Sequence, residues 1–183
     1  MTRMLLLRLF PVALAALIAL PAGALVMEAL PLHELTRRAD VVVHGEVIGQ
    51  TAQREAPGKD IWTTTSIRVI ESLKGDAGTD VLAFKQLGGT VDGVTELIPG
   101  DAVFHPGEEV VVFLSKTPRG LVLYGFSQGK FTVQFDPVAN APLVSRDLSH
   151  AGLVTRNGRP LPIYAPARLD DFRAEIRADA ASR

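Results

Sequence analysis

Apolar residues fall on alternate positions through most of the chain, in short runs broken by glycine, proline and small polar residues. Period two is the repeat of a β-strand with one covered face. Val41 to Ile48 is the first strong strand, with Val41, Val43 and Val47 on one face and Val42, His44, Glu46 and Ile48 on the other. Gln50 to Asp60 reads as a loop. Thr63 to Leu73 alternates again, Lys74 to Gly78 turns, and Asp80 to Leu87 completes a hairpin. Gly88 to Pro106 has little periodicity and is expected to be a long surface loop. Val110-Val111-Val112-Phe113-Leu114 is too continuous for a strand with one wet face, so it is expected to be central and covered on both sides. Leu121 to Phe126 follows a turn. Lys130 to Phe135 then alternates, with Phe131, Val133 and Phe135 inward, and Leu143-Val144 reads as a short edge strand.

Two segments depart from period two. Pro31 to Arg38 reads as a short helix opened by its proline. Near the end, Leu169, Phe172 and Ile176 recur at helical steps among charged residues, which predicts a docked helix over 166–181. Many short strands with turns between them predict a mainly β fold, a small closed antiparallel barrel carrying both helices.

The first two dozen residues follow another logic. Arg3 and Arg8 precede or interrupt an apolar run that ends in Pro21-Ala22-Gly23-Ala24. A positive start, a short apolar centre and a small-x-small exit describe a secretory signal peptide over 1–24, leaving 25–183 as a single domain. An uncleaved anchor is the alternative, but Leu9 to Leu20 is shorter than the roughly 20 residues a spanning helix needs. The expected location is periplasmic or extracellular, in a bacterium.

Composition narrows the function classes. The leader holds two arginines and no acid, so removing it takes the formal charge from −1 to −3. Such a balance gives no reason to expect nucleic acid or an anionic membrane as partner. Cysteine is absent, which excludes disulfides, thiolate metal sites and a cysteine nucleophile. No cofactor motif is present. Among His33, His44, His105 and His150 no pair has a metal-ligand spacing; His44 and Glu46 share a strand face, a pattern that more often marks a solvated surface. Asp92, Glu96 and Asp101 lie in the 88–106 segment without the EF-hand spacing.

The sharpest motif is Gly125-Phe126-Ser127-Gln128-Gly129, a Gly-x-Ser-x-Gly with Asp136 and His150 following in the order of a hydrolase triad. A nucleophile elbow must lead into a helix, however, and the period of Lys130 to Phe135 predicts a strand. A glycine-bearing hairpin turn is the reading adopted, and Ser127 catalysis is the alternative. A phosphate-binding loop is excluded over the same segment because Phe131 stands where a hydroxyl is required. Loops on a rigid β-scaffold carry function more often than strands do, so a binding surface is expected at Asp92, Glu96 and Asp101. Trp62, the only tryptophan, starts a strand beside the other long loop and is expected to join that surface.

Three stretches together resemble a known module. They are Ala39-Asp40-Val41-Val42-Val43-His44-Gly45-Glu46-Val47, the segment Thr65 to Gly75 ending in Lys74-Gly75, and Phe104-His105-Pro106-Gly107-Glu108-Glu109 leading into the apolar run. Over about Leu32 to Phe126 the chain resembles the netrin-like module of the tissue inhibitors of metalloproteinases and their bacterial relatives. That resemblance implies a five-stranded oligonucleotide/oligosaccharide-binding (OB) type barrel. It also implies protease inhibition as a further alternative, although family inhibitors chelate the protease zinc through an N-terminal cysteine, for which this chain has no counterpart. The expectation is a non-enzymatic exported domain that binds a protein or a cell-envelope component.

Overall fold

The computed structural model describes residues 26–56, 59–149, 151–154 and 165–182. The signal peptide expected over 1–24 and His150 lie outside the described residues. In chain order come β1 (Val26–Glu28), α1 (Leu32–Arg38), β2 (Val41–Arg54), β3 (Ile61–Lys74), β4 (Val81–Leu87), β5 (Gly89–Val91), β6 (Val94–Glu96), β7 (Glu109–Thr117) and β8 (Gly120–Leu123). A 3-10 turn over Phe126–Gly129 leads to β9 (Lys130–Asp136), β10 (Ala141–Ser145), β11 (Gly152–Val154), β12 (Ala167–Arg168) and α2 (Leu169–Ala181).

The fold is mainly β. One large sheet runs β12-β10-β9-β7-β2-β3-β4-β8, and β8 also pairs with β7. Contrary to a purely antiparallel arrangement the sheet is mixed, because β4 meets β8 in parallel at Lys85↔Val122. One edge of β7 is divided between two strands: β9 pairs with Val110–Val112, and β8 with Leu114–Thr117.

The apolar run of β7 is covered on both sides, as its sequence requires. Val111 and Phe113 point into a core shared with Leu35, Val42, Phe131, Val144, Phe172 and Ile176, beneath both helices. Val110, Val112 and Leu114 point into a second core with Val41, Val43, Val47, Ile67, Leu82 and Phe84. In the first core Phe131 stacks obliquely between Phe113 at 5.6 Å and Phe172 at 4.8 Å, so α2 is fixed through aromatic contact. Glu71 on β3 adds ion pairs to Arg173 and Arg177 of α2.

Two motifs of the resemblance have local structural causes. Lys74 donates from Nζ to the carbonyls of Thr36, Arg37 and Ala39 at 2.6, 3.0 and 2.6 Å, satisfying the C-terminal end of α1. Gly107 has φ +84°, and its N–H donates to Val47 O at 2.7 Å.

Several expectations require correction. The strands β2 and β3 extend through Arg54 and from Ile61, well into the expected loop, because pairing of Thr51–Arg54 with Ile61–Thr64 needs backbone alone. The 88–106 segment is not simply surface loop: it holds the β5–β6 hairpin, and Phe104 is buried edge-on to Phe84 at 5.2 Å. Phe135 is 65% exposed, since β9 runs past the ground that the helices cover. Strand β10 is not an edge strand, because β12 pairs outside it, and that pairing delays the helix expected from 166 until Leu169. Replacing Phe172 by Ala is expected to cost about 3–5 kcal/mol, and replacing the exposed Phe135 by Ala at most about 0.5 kcal/mol, in urea denaturation.

Candidate functional site

The β7–β8 turn, the starts and ends of neighbouring strands and the 98–101 segment enclose a groove of about 990 Å³. Its walls are mainly apolar. Trp62 and Leu87, paired across β3 and β4, form one side. Val122 and Leu123 of β8, Phe126, Ile98 and Pro99 complete the apolar lining. Thr117, Pro118 and Arg119 stand at one end. Lys85, Gln86 and Asp101 contribute most of the polar lining.

Trp62 is half-buried, and its indole N–H has no hydrogen-bond partner among the described residues. The guanidinium of Arg119 lies 5.1 Å from the ring centroid, within cation–π range, and also pairs with Glu55 at 3.3 Å. This leaves an aromatic platform braced from the turn side. Phe126 is 40% exposed and has φ +56°, a left-handed conformation that costs a bulky residue roughly 1–2 kcal/mol. The strained backbone holds its ring on the wall of the groove.

The Gly-x-Ser-x-Gly segment therefore plays a different part from either sequence reading. It is a 3-10 turn that carries the chain from β8 to β9, two strands that do not pair with each other, so it is no hairpin. Gly125 takes φ +79°, and a Cβ at Gly129 would collide with the carbonyl oxygen of Tyr124. Both glycines are thus required by backbone geometry. Ser127 is buried, its Oγ without a hydrogen-bond partner among the described residues, and a strand follows it as expected. Asp136 ends β9, so about 20 Å of strand separates it from the turn that holds Ser127. There Asp136 accepts hydrogen bonds from the N–H groups of Val138 and Ala139. The structure does not bring Ser127 and Asp136 together.

Of the four residues expected on a binding surface, Trp62 and Asp101 line the groove. Glu96 lines an adjoining cavity of about 390 Å³, again with Asp101, while accepting hydrogen bonds from Arg54 at 3.1 Å and Ile61 N–H at 2.9 Å. Its role there is to tie the β5–β6 hairpin to β3. Asp92 is exposed at the hairpin tip, outside these cavities. Phe126, Val122 and Leu123 escaped the sequence reading. A bulky aromatic between glycine and serine is the one signal of it in the sequence.

His44 is 3% exposed rather than solvated, and its Nε2 meets Glu109 Oε1 at 2.7 Å, whereas Glu46 pairs with Arg68. His44 and Glu46 are thus engaged by different side chains. Among the described residues no group of three or more His, Asp or Glu side chains is placed to hold a metal ion. No helix among them is long and apolar enough to cross a membrane.

Asp101 is the most perturbed group at the groove. Burial pushes its carboxyl above the ordinary value, against hydrogen bonds from Gln86 and the Ala102 N–H that pull it down. Compared with known proteins, the chain matches no family model and no curated sequence.

A raised carboxyl favours the folded state in its protonated form, and that advantage fades as pH rises through the raised value. The stability of the wild type relative to Asp101→Asn is therefore expected to fall as pH increases from the ordinary aspartate range upward, in urea titrations at a series of pH values. Gly129→Ala is expected to destabilise by more than 1 kcal/mol, the usual scale of a forced backbone shift, in the same assay.

Proposed function

We propose that this protein is a non-enzymatic, exported binding domain whose ligand sits in the groove between Trp62 and Phe126. The observation that carries the reading is a large apolar recess holding two partly exposed aromatic rings, one on a strained backbone. Its size is at the top of the range of about 300–1,000 Å³ for small-molecule sites. Strain held at an exposed ring is a cost that binding can offset. The separation of Ser127 from Asp136 favours binding over hydrolysis.

The fold is read as an OB-type barrel. Taking β2, β3, β4, β7 and β8 as five strands in order, the pairings run first-second-third-fifth-fourth and back to the first. Such barrels bind ligands across their second and third strands and the loops joining first to second and fourth to fifth. In this chain the corresponding strands are β3 and β4, which give Trp62, Lys85, Gln86 and Leu87 to the groove, and the β7–β8 turn gives Pro118 and Arg119. The positively charged, apolar, small-x-small leader supports export.

The test uses the fluorescent apolar probe N-phenyl-1-naphthylamine, with Trp62 as the sole intrinsic tryptophan reporter. Mature protein is expected to enhance probe emission and lose Trp62 emission on titration. Val122→Glu should weaken binding at least tenfold, whereas Val138→Glu, at a position 95% exposed and outside the groove, should not. Equal binding by both variants would reject the groove. Fluorophosphonate treatment is expected to leave Ser127 unmodified; its specific labelling would replace this reading with hydrolysis.

A further inference from the structure

The groove is apolar but not featureless, and its polar groups are unequal. Asp101 lines the groove, the adjoining cavity with Glu96, and a polar recess of about 350 Å³ that also includes Ser127 and Lys130. Its carboxylate is fixed in place: Gln86 Nε2 donates to Oδ1 at 3.0 Å and the Ala102 N–H donates to the same oxygen at 2.8 Å. Both bonds end on Oδ1, and Oδ2 accepts no hydrogen bond among the described residues. Gln86 is itself held, because the same Nε2 donates to Ala102 O at 3.0 Å.

The two cations of the groove are placed differently. Arg119 is already committed to Glu55 and to the face of Trp62. Lys85 is half-buried and forms no ion pair among the described residues, but an ammonium on a four-carbon stem keeps its charge in water at little cost. Asp101 has no such freedom. A carboxylate held rigid in a poorly hydrated wall gains most from a cation that arrives with the ligand.

Resting on the groove reading above, we propose that the ligand is a small amphiphilic cation, an apolar body bearing one protonated amine, with the amine bound to Asp101 Oδ2. The apolar body covers Trp62, Val122 and Phe126, and the ammonium reaches the one carboxylate of the groove wall. The groove's volume suits a small molecule better than a folded partner. The raised carboxyl of Asp101 agrees with this placement, since a bound cation relieves the same desolvation that raises it.

The experiment is displacement of N-phenyl-1-naphthylamine from the mature protein by octylamine, octanol and octanoate, which share one chain and differ in head-group charge. Octylamine is expected to displace the probe at a concentration at least tenfold below octanol or octanoate. Asp101→Asn, which preserves the shape of the side chain, should bring octylamine to within about threefold of octanol, each displacement being referred to the probe affinity measured for that variant. Lys85→Gln should keep or sharpen the octylamine preference, and it serves as the independent variant should Asp101→Asn not fold. Equal displacement by all three ligands, tightest binding of octanoate, or an octylamine preference that survives Asp101→Asn would each overturn the inference while leaving the groove intact. An acetyl-Leu-Lys-Leu-amide peptide that binds where octylamine does not would overturn it in favour of a protein side chain. Failure of the probe itself to bind wild type would remove the groove reading, and this inference with it.

Discussion

Two-sided burial of β7 is the constraint on which the rest of the structure depends. Five successive apolar residues, Val110 to Leu114, alternate between two cores, so neither face of the strand can be left to solvent. One face calls for the helices, and Phe113, Phe131 and Phe172 transmit that requirement as a column of ring contacts to α2. The other face calls for curvature, because Val110, Val112 and Leu114 must meet Ile67, Leu82 and Phe84 from strands two and three places away in the pairing order. The pairing of β8 with both β7 and β4 brings those strands round.

That arrangement also creates the groove. The free edge of β7 is too short to serve β8 and β9 side by side, so they take successive stretches of it, and the chain must cross from one to the other. The crossing is the Gly125–Gly129 turn, which needs a left-handed Gly125, a Cβ-free Gly129 and a strained Phe126. Gln128 secures it: its Nε2 donates to Glu28 O at 3.1 Å, and its Oε1 accepts from the Leu30 N–H at 2.7 Å. The turn is thereby fixed to the segment before α1. Ser127 sits within this packing, its Oγ without a hydrogen-bond partner among the described residues, while Phe126 is left on the wall of the groove.

The polar residues near the groove divide by how their charges are met. Glu96 and Arg119 are engaged within the protein, the one holding a hairpin and the other bracing an indole. Asp101, half-buried, accepts both of its hydrogen bonds on Oδ1, and burial raises its carboxyl. Acids in neighbouring segments of sequence thus meet different surroundings: Glu96 is engaged by Arg54 and Ile61, and Asp101 by Gln86 and Ala102.

The features legible along the chain are those that neighbouring residues decide. Alternation marked the strands, the 3.6-residue stripe of Leu169, Phe172 and Ile176 marked α2, and the unbroken run of β7 announced cover on both sides, because side-chain direction follows directly from backbone period. Hydrogen-bonded extension of β2 and β3 through polar residues left no such periodic trace, and neither did the burial of Phe104 beyond a stretch of turns. His44 looked solvated because strand alternation assigns a face but not what packs on it. The site was legible only in fragments: Trp62 and Asp101 were singled out, while their convergence with Val122 and Phe126 was not. Their convergence is a matter of which strand ends come together across long loops, and no local period records that residues some sixty positions apart line one groove.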